Sequence, residues 1–540
     1  MLRPLLCSLL LASAPALAKP PRLTVFITVD ALGTDVLLRS RAHLKGGLAT
    51  LLDKGALYPD VRYEQAFVAT APGHAILSTG AYPWRTGIVG NRVLNRTSGK
   101  EEPIFWDSAH PALEAPPGVD DVSPEALQAE TLADHLRLFT NGRGKVIVLS
   151  GKARAAIALA GRLGQPFWFN EQVGKLVTGT AYAKELPGWV RIFNDRRLAD
   201  GYFNTEWGLL LPAKEYVGDD DRPFEAPAYG MRRTFPHPLN GGASAPGPAS
   251  YAAMNASPFG NELLVQAAKA AILAEGLGKD DVPDLLAISF SSTDFIEHQF
   301  GPYSWEMQDA LVRLDKQLTD LLAAAEKAAG GRQNLLVILS ADHGGAALPE
   351  EWIAAGIAST RVKPSALRQG LGNELQGRFG APLLLGLVDQ EVYLNAKAIS
   401  EKKLDGAQVR RAAAEWLGRQ PGIAAAVTRD DIESNLGCAG FLPALRRGHF
   451  PERSGDISFV LKPFTVLGDE DAGTGHGQPY AYDNQVPLVL FGKGVRPGLF
   501  RLQAHASDVA PTAALLMEMG APASAEGEPR SESITQNRSP

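Results

Sequence analysis

The stretch LLAISFSSTDFIEH, residues 285–298, decides how the rest of the chain is read. Its first part, Leu285–Phe290, is a nearly continuous apolar run, the pattern of a strand buried on both faces of a parallel sheet. The run ends at Ser291-Ser292-Thr293, and Asp294 and His298 follow, four residues apart. On a helical turn that spacing sets both side chains on one face. In open α/β sheets, functional groups gather at the carboxyl ends of the strands. A carboxylate and an imidazole placed there mark a candidate site.

The same arrangement recurs along the chain. Leu23–Val29 leads to Asp30, and Asn334–Leu339 leads to Ser340-Ala341-Asp342-His343-Gly344-Gly345. Lys145–Leu149 and Val486–Phe491 are further strand-like runs, and a later loop, Gly473-Thr474-Gly475-His476-Gly477, carries another imidazole. Helical patterns fall between them at Pro124–Phe139, Glu262–Ala274, Tyr303–Lys327 and Ala506–Met519. Strands alternating with helices predict an α/β fold with a mostly parallel central sheet and helices on both faces. Two stretches break the rhythm, about 155–255 and about 346–470, and read as inserted cap segments over the sheet. Residues 521–540 are rich in Ala, Ser, Glu and Pro and read as a disordered tail.

The chain has 540 residues, 45% of them apolar, and a net charge of −6. No broad basic surface for a nucleic acid partner is implied. The first 18 residues, MLRPLLCSLLLASAPALA, combine a positive start, a short apolar run and an Ala-Leu-Ala cleavage signal. They read as a signal peptide for a periplasmic or secreted protein, because the run is too short to span a bilayer. Its removal takes Cys7 away and leaves Cys438. A mature chain with one cysteine forms no internal disulfide and no cysteine-based zinc site. Any bound metal falls to His, Asp and Glu.

Asp30, Asp294, Asp342, His298, His343 and His476 give three carboxylates and three imidazoles. Singly, such residues cap helices or shape turns. Together, at strand ends, they are a ligand set for zinc or a similar divalent ion, enough for two ions with three protein ligands each. Paired ions suit an in-line displacement at phosphorus, which needs a nucleophile between them. The segment AFVATAPGHAILSTGAYP, residues 66–83, offers Thr70. Ala71-Pro72-Gly73 would open a helix there, with its positive end facing a phosphate. His74 is the more conspicuous residue, but one turn further on it reads as structural.

These segments, with Gly87-Ile88-Val89-Gly90-Asn91 and Gly151-Lys152-Ala153-Arg154, resemble the alkaline phosphatase superfamily from about residue 22 to 520. The resemblance is closest to bacterial alkaline phosphatases with a threonine nucleophile and a Lys-x-Arg pair at the phosphate. It implies an alkaline-phosphatase-like catalytic domain over 19–520 that hydrolyses phosphate monoesters through a phosphothreonine with two Zn2+ per chain; separately, the chain is expected to be a monomer. Asp294, His298 and His476 would hold the ion facing the leaving group. Asp30, Asp342 and His343 would hold the ion that activates Thr70. Asn91, Lys152 and Arg154 would bind the nonbridging oxygens. The alternative on the same scaffold is a nucleotide pyrophosphatase or phosphodiesterase, and from another class a non-catalytic zinc- or phosphate-binding protein.

Overall fold

The computed structural model describes residues 19–434, 437 and 440–535. The expected signal peptide and both cysteines lie outside the described residues. The core is a ten-stranded sheet. Its principal strands are β1 (Leu23–Val29), β2 (Ala56–Arg62), β3 (Val146–Ser150), β4 (Gln165–Asn170), β5 (Lys175–Val177), β6 (Asp284–Phe290), β7 (Leu335–Ser340) and β8 (Gln485–Gly492). From β2 they run in the order β2-β8-β7-β1-β6-β3-β4-β5. Every residue of β1, β3, β6 and β7 is buried, as their unbroken apolar runs require.

β7, β1, β6 and β3 are adjacent and parallel, and their registers match. Thr28 pairs with Ser340 on one side and Ser289 on the other, and Ser289 pairs with Ser150. The residues that follow these four therefore emerge together at one edge. This geometry assembles the site from segments hundreds of residues apart.

Several expectations change in detail. Val486–Phe491 is a strand, but β8 runs antiparallel to both β7 and β2. β2 carries Pro59 in mid-run and was not expected as a strand; its pairing with β8 shifts register between Val486 and Leu488, opposite that proline. Phe167–Phe169 belong to β4 rather than to the first insertion, because β4 pairs in parallel with β3. The helix expected from Pro124 begins only at Leu132, where Thr131 and Asp134 form a capping box (Asp134 N–H to Thr131 Oγ1, 3.0 Å).

The second insertion builds its own antiparallel sheet of Leu384–Val388, Glu391–Leu394, Ile457–Leu461 and Ile423–Thr428. Helices Pro364–Phe379 and Gly406–Gly418 cover it around a separate core that includes Leu371, Leu375, Val409, Leu417 and Phe459. The expected disordered tail is packed over 521–535. Glu526 accepts hydrogen bonds from Tyr82 N–H and Trp84 Nε1, both 3.0 Å, Arg530 Nε donates to Asp508 at 2.8 Å, and Ile534 bridges to Val495. The polar composition that suggested disorder is matched here by specific partners.

Candidate active site

Helix α1 (Thr70–Thr79) starts at the sheet edge where β1 and β7 end. Ala69 is extended and Thr70 is the first helical residue, fully buried, with no hydrogen-bond partner for its Oγ1. Asn91 Oδ1 accepts from Ala71 N–H at 2.8 Å, which fixes the helix start and leaves the Asn91 amide NH2 to donate elsewhere. Gly73 makes the close approach possible: a Cβ there would lie 2.3 Å from the Asp342 carbonyl oxygen. Gly73→Ala must displace α1 or the end of β7. We expect about 1–3 kcal/mol lower stability by denaturant unfolding and about 10²-fold lower turnover.

His74 is buried, its Nδ1 2.8 Å from the Thr70 carbonyl and 3.2 Å from Asp342 Oδ2, its Nε2 2.8 Å from Ser289 Oγ. It ties α1 to β6 and β7, the structural role expected of it.

Helix α2 (Ala153–Ala160) follows β3 and helix α3 (Ser292–Phe300) follows β6. Asp294 and His298 share one face of α3, with His298 Nε2 3.4 Å from Asp294 Oδ1. His476 reaches the same oxygen at 3.6 Å. These three donors lie within 4.8 Å of one another. His298 Nδ1 is 3.0 Å from the Thr474 carbonyl and His476 Nδ1 is 3.0 Å from the Val68 carbonyl. Those carbonyls select the tautomer in which Nε2 presents a lone pair to the site, as a metal ligand needs.

On the other side, His343 Nε2 is 3.4 Å from Asp30 Oδ1 and 3.5 Å from Asp342 Oδ2. The mutual group within 4.8 Å here is Asp30, Asp294 and His343, so Asp294 stands between the two clusters. Asp342 commits its Oδ1 to Ala31 N–H and its own His343 N–H, both at 3.1 Å, and keeps Oδ2 toward the site. The His343 and His476 rings stack at 3.7 Å.

The electrostatics call for cations. Burial and then the Asp342 charge push the Asp30 carboxyl well above its usual range. Burial also opposes ionisation of Asp294 and Asp342; Lys152 and His298 overcome it at the first, His343 and His74 at the second, and both are held low. Burial keeps both the His343 and the His476 imidazoles below the ordinary range, which favours the neutral form that ligates. Asp30 Oδ1, Asp294 Oδ1, Asp342 Oδ2, His343 Nε2 and Thr70 Oγ1 are all buried without a hydrogen bond. Each such atom costs about 1–3 kcal/mol. A set of converging orphan oxygen and nitrogen donors fits divalent ions.

The structure places Lys152 among these carboxylates. Its ammonium lies 2.6 Å from Asp30 Oδ2 and 2.5 Å from Asp294 Oδ2. Arg154, two residues on in α2, makes no ion pair with another described residue, and its buried Nε has no hydrogen-bond partner. Asn91, Lys152 and Arg154 line one pocket of about 650 Å³. All ten residues singled out in the sequence therefore meet in one region. Sequence reading passed over Glu297, buried beside Asp294 with neither carboxylate oxygen bonded. It also passed over Tyr229 and Arg361, which reach the site from the insertions and carry no local motif.

Residues 24–481 match the type I phosphodiesterase / nucleotide pyrophosphatase family. The chain belongs to that family, within the alkaline phosphatase superfamily. It is a phosphatase whose fold matches that of alkaline phosphatase PafA. Against PafA from Elizabethkingia meningoseptica it is 32% identical, over 95% of this chain and 94% of that one. The PafA crystal structure superposes with a TM-score of 0.90 at 30% identity, covering 96% of this chain and all of that one. Alkaline phosphatase PhoV from Synechococcus elongatus is 31% identical over 95% of this chain and 93% of its own. A protein named calcium-transporting ATPase from Myroides odoratus is 33% identical over 96% and 95%.

Proposed function

We propose that this phosphatase acts on phosphate monoesters through Thr70, with two Zn2+ bound, and is exported to do so. The observation that carries the reading is the Thr70 hydroxyl, fully buried, unpartnered and first in a helix whose Gly73 packs against Asp342. Asp294, His298 and His476 would hold one ion; Asp30, Asp342 and His343 the other, with Thr70 as a further ligand. When bound, such ions neutralise charge on the attacking and leaving oxygens. Thr70 Oγ1 gives up its proton and attacks phosphorus in line, the ester P–O bond breaks, the leaving oxygen takes up a proton from solvent and departs as the alcohol, and a phosphothreonine remains. Water then cleaves it, restoring the hydroxyl and releasing inorganic phosphate. The N-terminal N–H groups of α1 face the phosphate with favourable polarity.

Asn91, Lys152 and Arg154 supply donors for the nonbridging oxygens. A monoester dianion matches two cations and a neutral donor better than a diester monoanion does. Arg154→Ala is therefore expected to lower kcat/KM for a monoester by about 10²-fold, and to lower that for a matched diester much less. Equal losses on both substrates would remove the dianion-reading role.

Phosphodiester hydrolysis is a second reading with one observation in its favour. The pocket beyond Lys152 and Arg154 has room for a second ester substituent, and its wall includes Phe105, Trp106, Asp120 and Glu171. Transport is not carried over from the Myroides relative's name; among the described residues no helix is long and apolar enough to cross a membrane.

A further inference from the structure

A second pocket, of about 460 Å³, opens beside Asp294 and His298. Arg154 is part of its lining, whereas Thr70, Asp342 and His343 are not. In an in-line displacement the leaving group departs opposite the nucleophile. With Asp294 and His298 assigned to the ion that faces the leaving group, a pocket lined by both is where that group would sit.

Its walls are chemically distinct. Tyr229 comes from the first insertion and Phe295 from α3; their rings meet edge to face, 6.3 Å apart at 85°. Val466 and Leu467 come from the second insertion. Tyr229 is 37% exposed and sits at φ 56°, a conformation that non-glycine residues adopt rarely. The chain just before it is pinned to α3: Ala226 N–H donates to the Gln299 carbonyl and Ala228 N–H to Gln299 Oε1, both at 2.8 Å. The opposite wall is fixed as well, since Thr474 N–H donates to the His298 carbonyl at 3.0 Å. Arg361 is held by a two-point ion pair to Glu350 at 3.1 and 2.8 Å. An exposed aromatic ring, held on rigid supports in a strained backbone, is built to meet a ligand rather than to fill a core.

We infer that this pocket selects phosphate monoesters whose leaving group carries a planar ring, stacked on Tyr229 and Phe295 against Val466 and Leu467. The inference rests on the phosphomonoesterase reading above. Neither inserted segment is needed to hold the ligand clusters of α3 and the strand ends. Both contribute to this pocket, Tyr229 from the first and Arg361, Val466 and Leu467 from the second, which is where substrate choice would be made.

The test compares a nucleoside 5′-monophosphate with ribose 5-phosphate. Their leaving oxygens are alike, and they differ by the ring. In the zinc-loaded wild type the nucleotide should have a kcat/KM about 10-fold higher, the yield of one base stacked on one aromatic residue. The difference should lie in KM, because stacking is the same in the ground and transition states. Tyr229→Ala should bring the ratio toward 1, and Tyr229→Phe should restore it. Equal kcat/KM for the two substrates in the wild type, or a ratio unmoved by Tyr229→Ala, overturns the pocket assignment. Failure to hydrolyse either compound overturns the monoesterase reading beneath it.

Discussion

Thr70→Ala is expected to lower turnover of a phosphate monoester by at least about 10³-fold and to leave no phosphoenzyme. The size follows from position. Thr70 Oγ1 is the buried hydroxyl at the first turn of α1, and no other residue shares its place in the helix. Asn91 fixes the helix start through Ala71, Gly73 brings it against Asp342, and His74 locks it to β6 and β7. Removing one hydroxyl disturbs none of these contacts, so the variant should fold as the wild type does and keep the three carboxylates and three imidazoles for metal. Thr70→Ser keeps the hydroxyl and should keep the phosphoenzyme. Rapid acid quench with mass spectrometry reads both variants. A phosphorylated residue found in Thr70→Ala would move the nucleophile elsewhere.

Metal removal should have the second largest effect. Chelation is expected to take monoester turnover to background, and added zinc to restore it. The apo protein should remain folded, because Lys152 already offsets Asp30 and Asp294. Its midpoint of thermal unfolding should still fall, since each site at 100-fold over its Kd adds about 2.7 kcal/mol to the folded state. Metal retained without turnover would instead describe a binding protein.

Much of this site was legible because its residues sit at ends of strands that hydrophobic runs make visible. Leu23–Val29 and Leu285–Phe290 are buried on both faces, and the next few positions hold Asp30 and Asp294. What the sequence could not show is adjacency: that Asp294 stands between both clusters, or that Lys152 bridges Asp30 and Asp294, depends on the β7-β1-β6-β3 order and its register. β2 was hidden by Pro59, and the direction of β8 is set by pairing partners rather than by its own residues. The tail misled because composition alone predicts no partner for Glu526 or Arg530. Tyr229 was invisible for the same reason: its role comes from a loop held by Gln299, and no periodicity records that.

The most direct test of the proposed chemistry is the ratio of kcat/KM for a phosphate monoester and its matched diester, measured on one wild-type preparation of known zinc content. Phosphomonoesterase chemistry at Thr70, with Asn91, Lys152 and Arg154 reading a dianion, requires the monoester to be the better substrate by a wide margin at two zinc ions per chain. A higher kcat/KM for the diester on that same sample would contradict it.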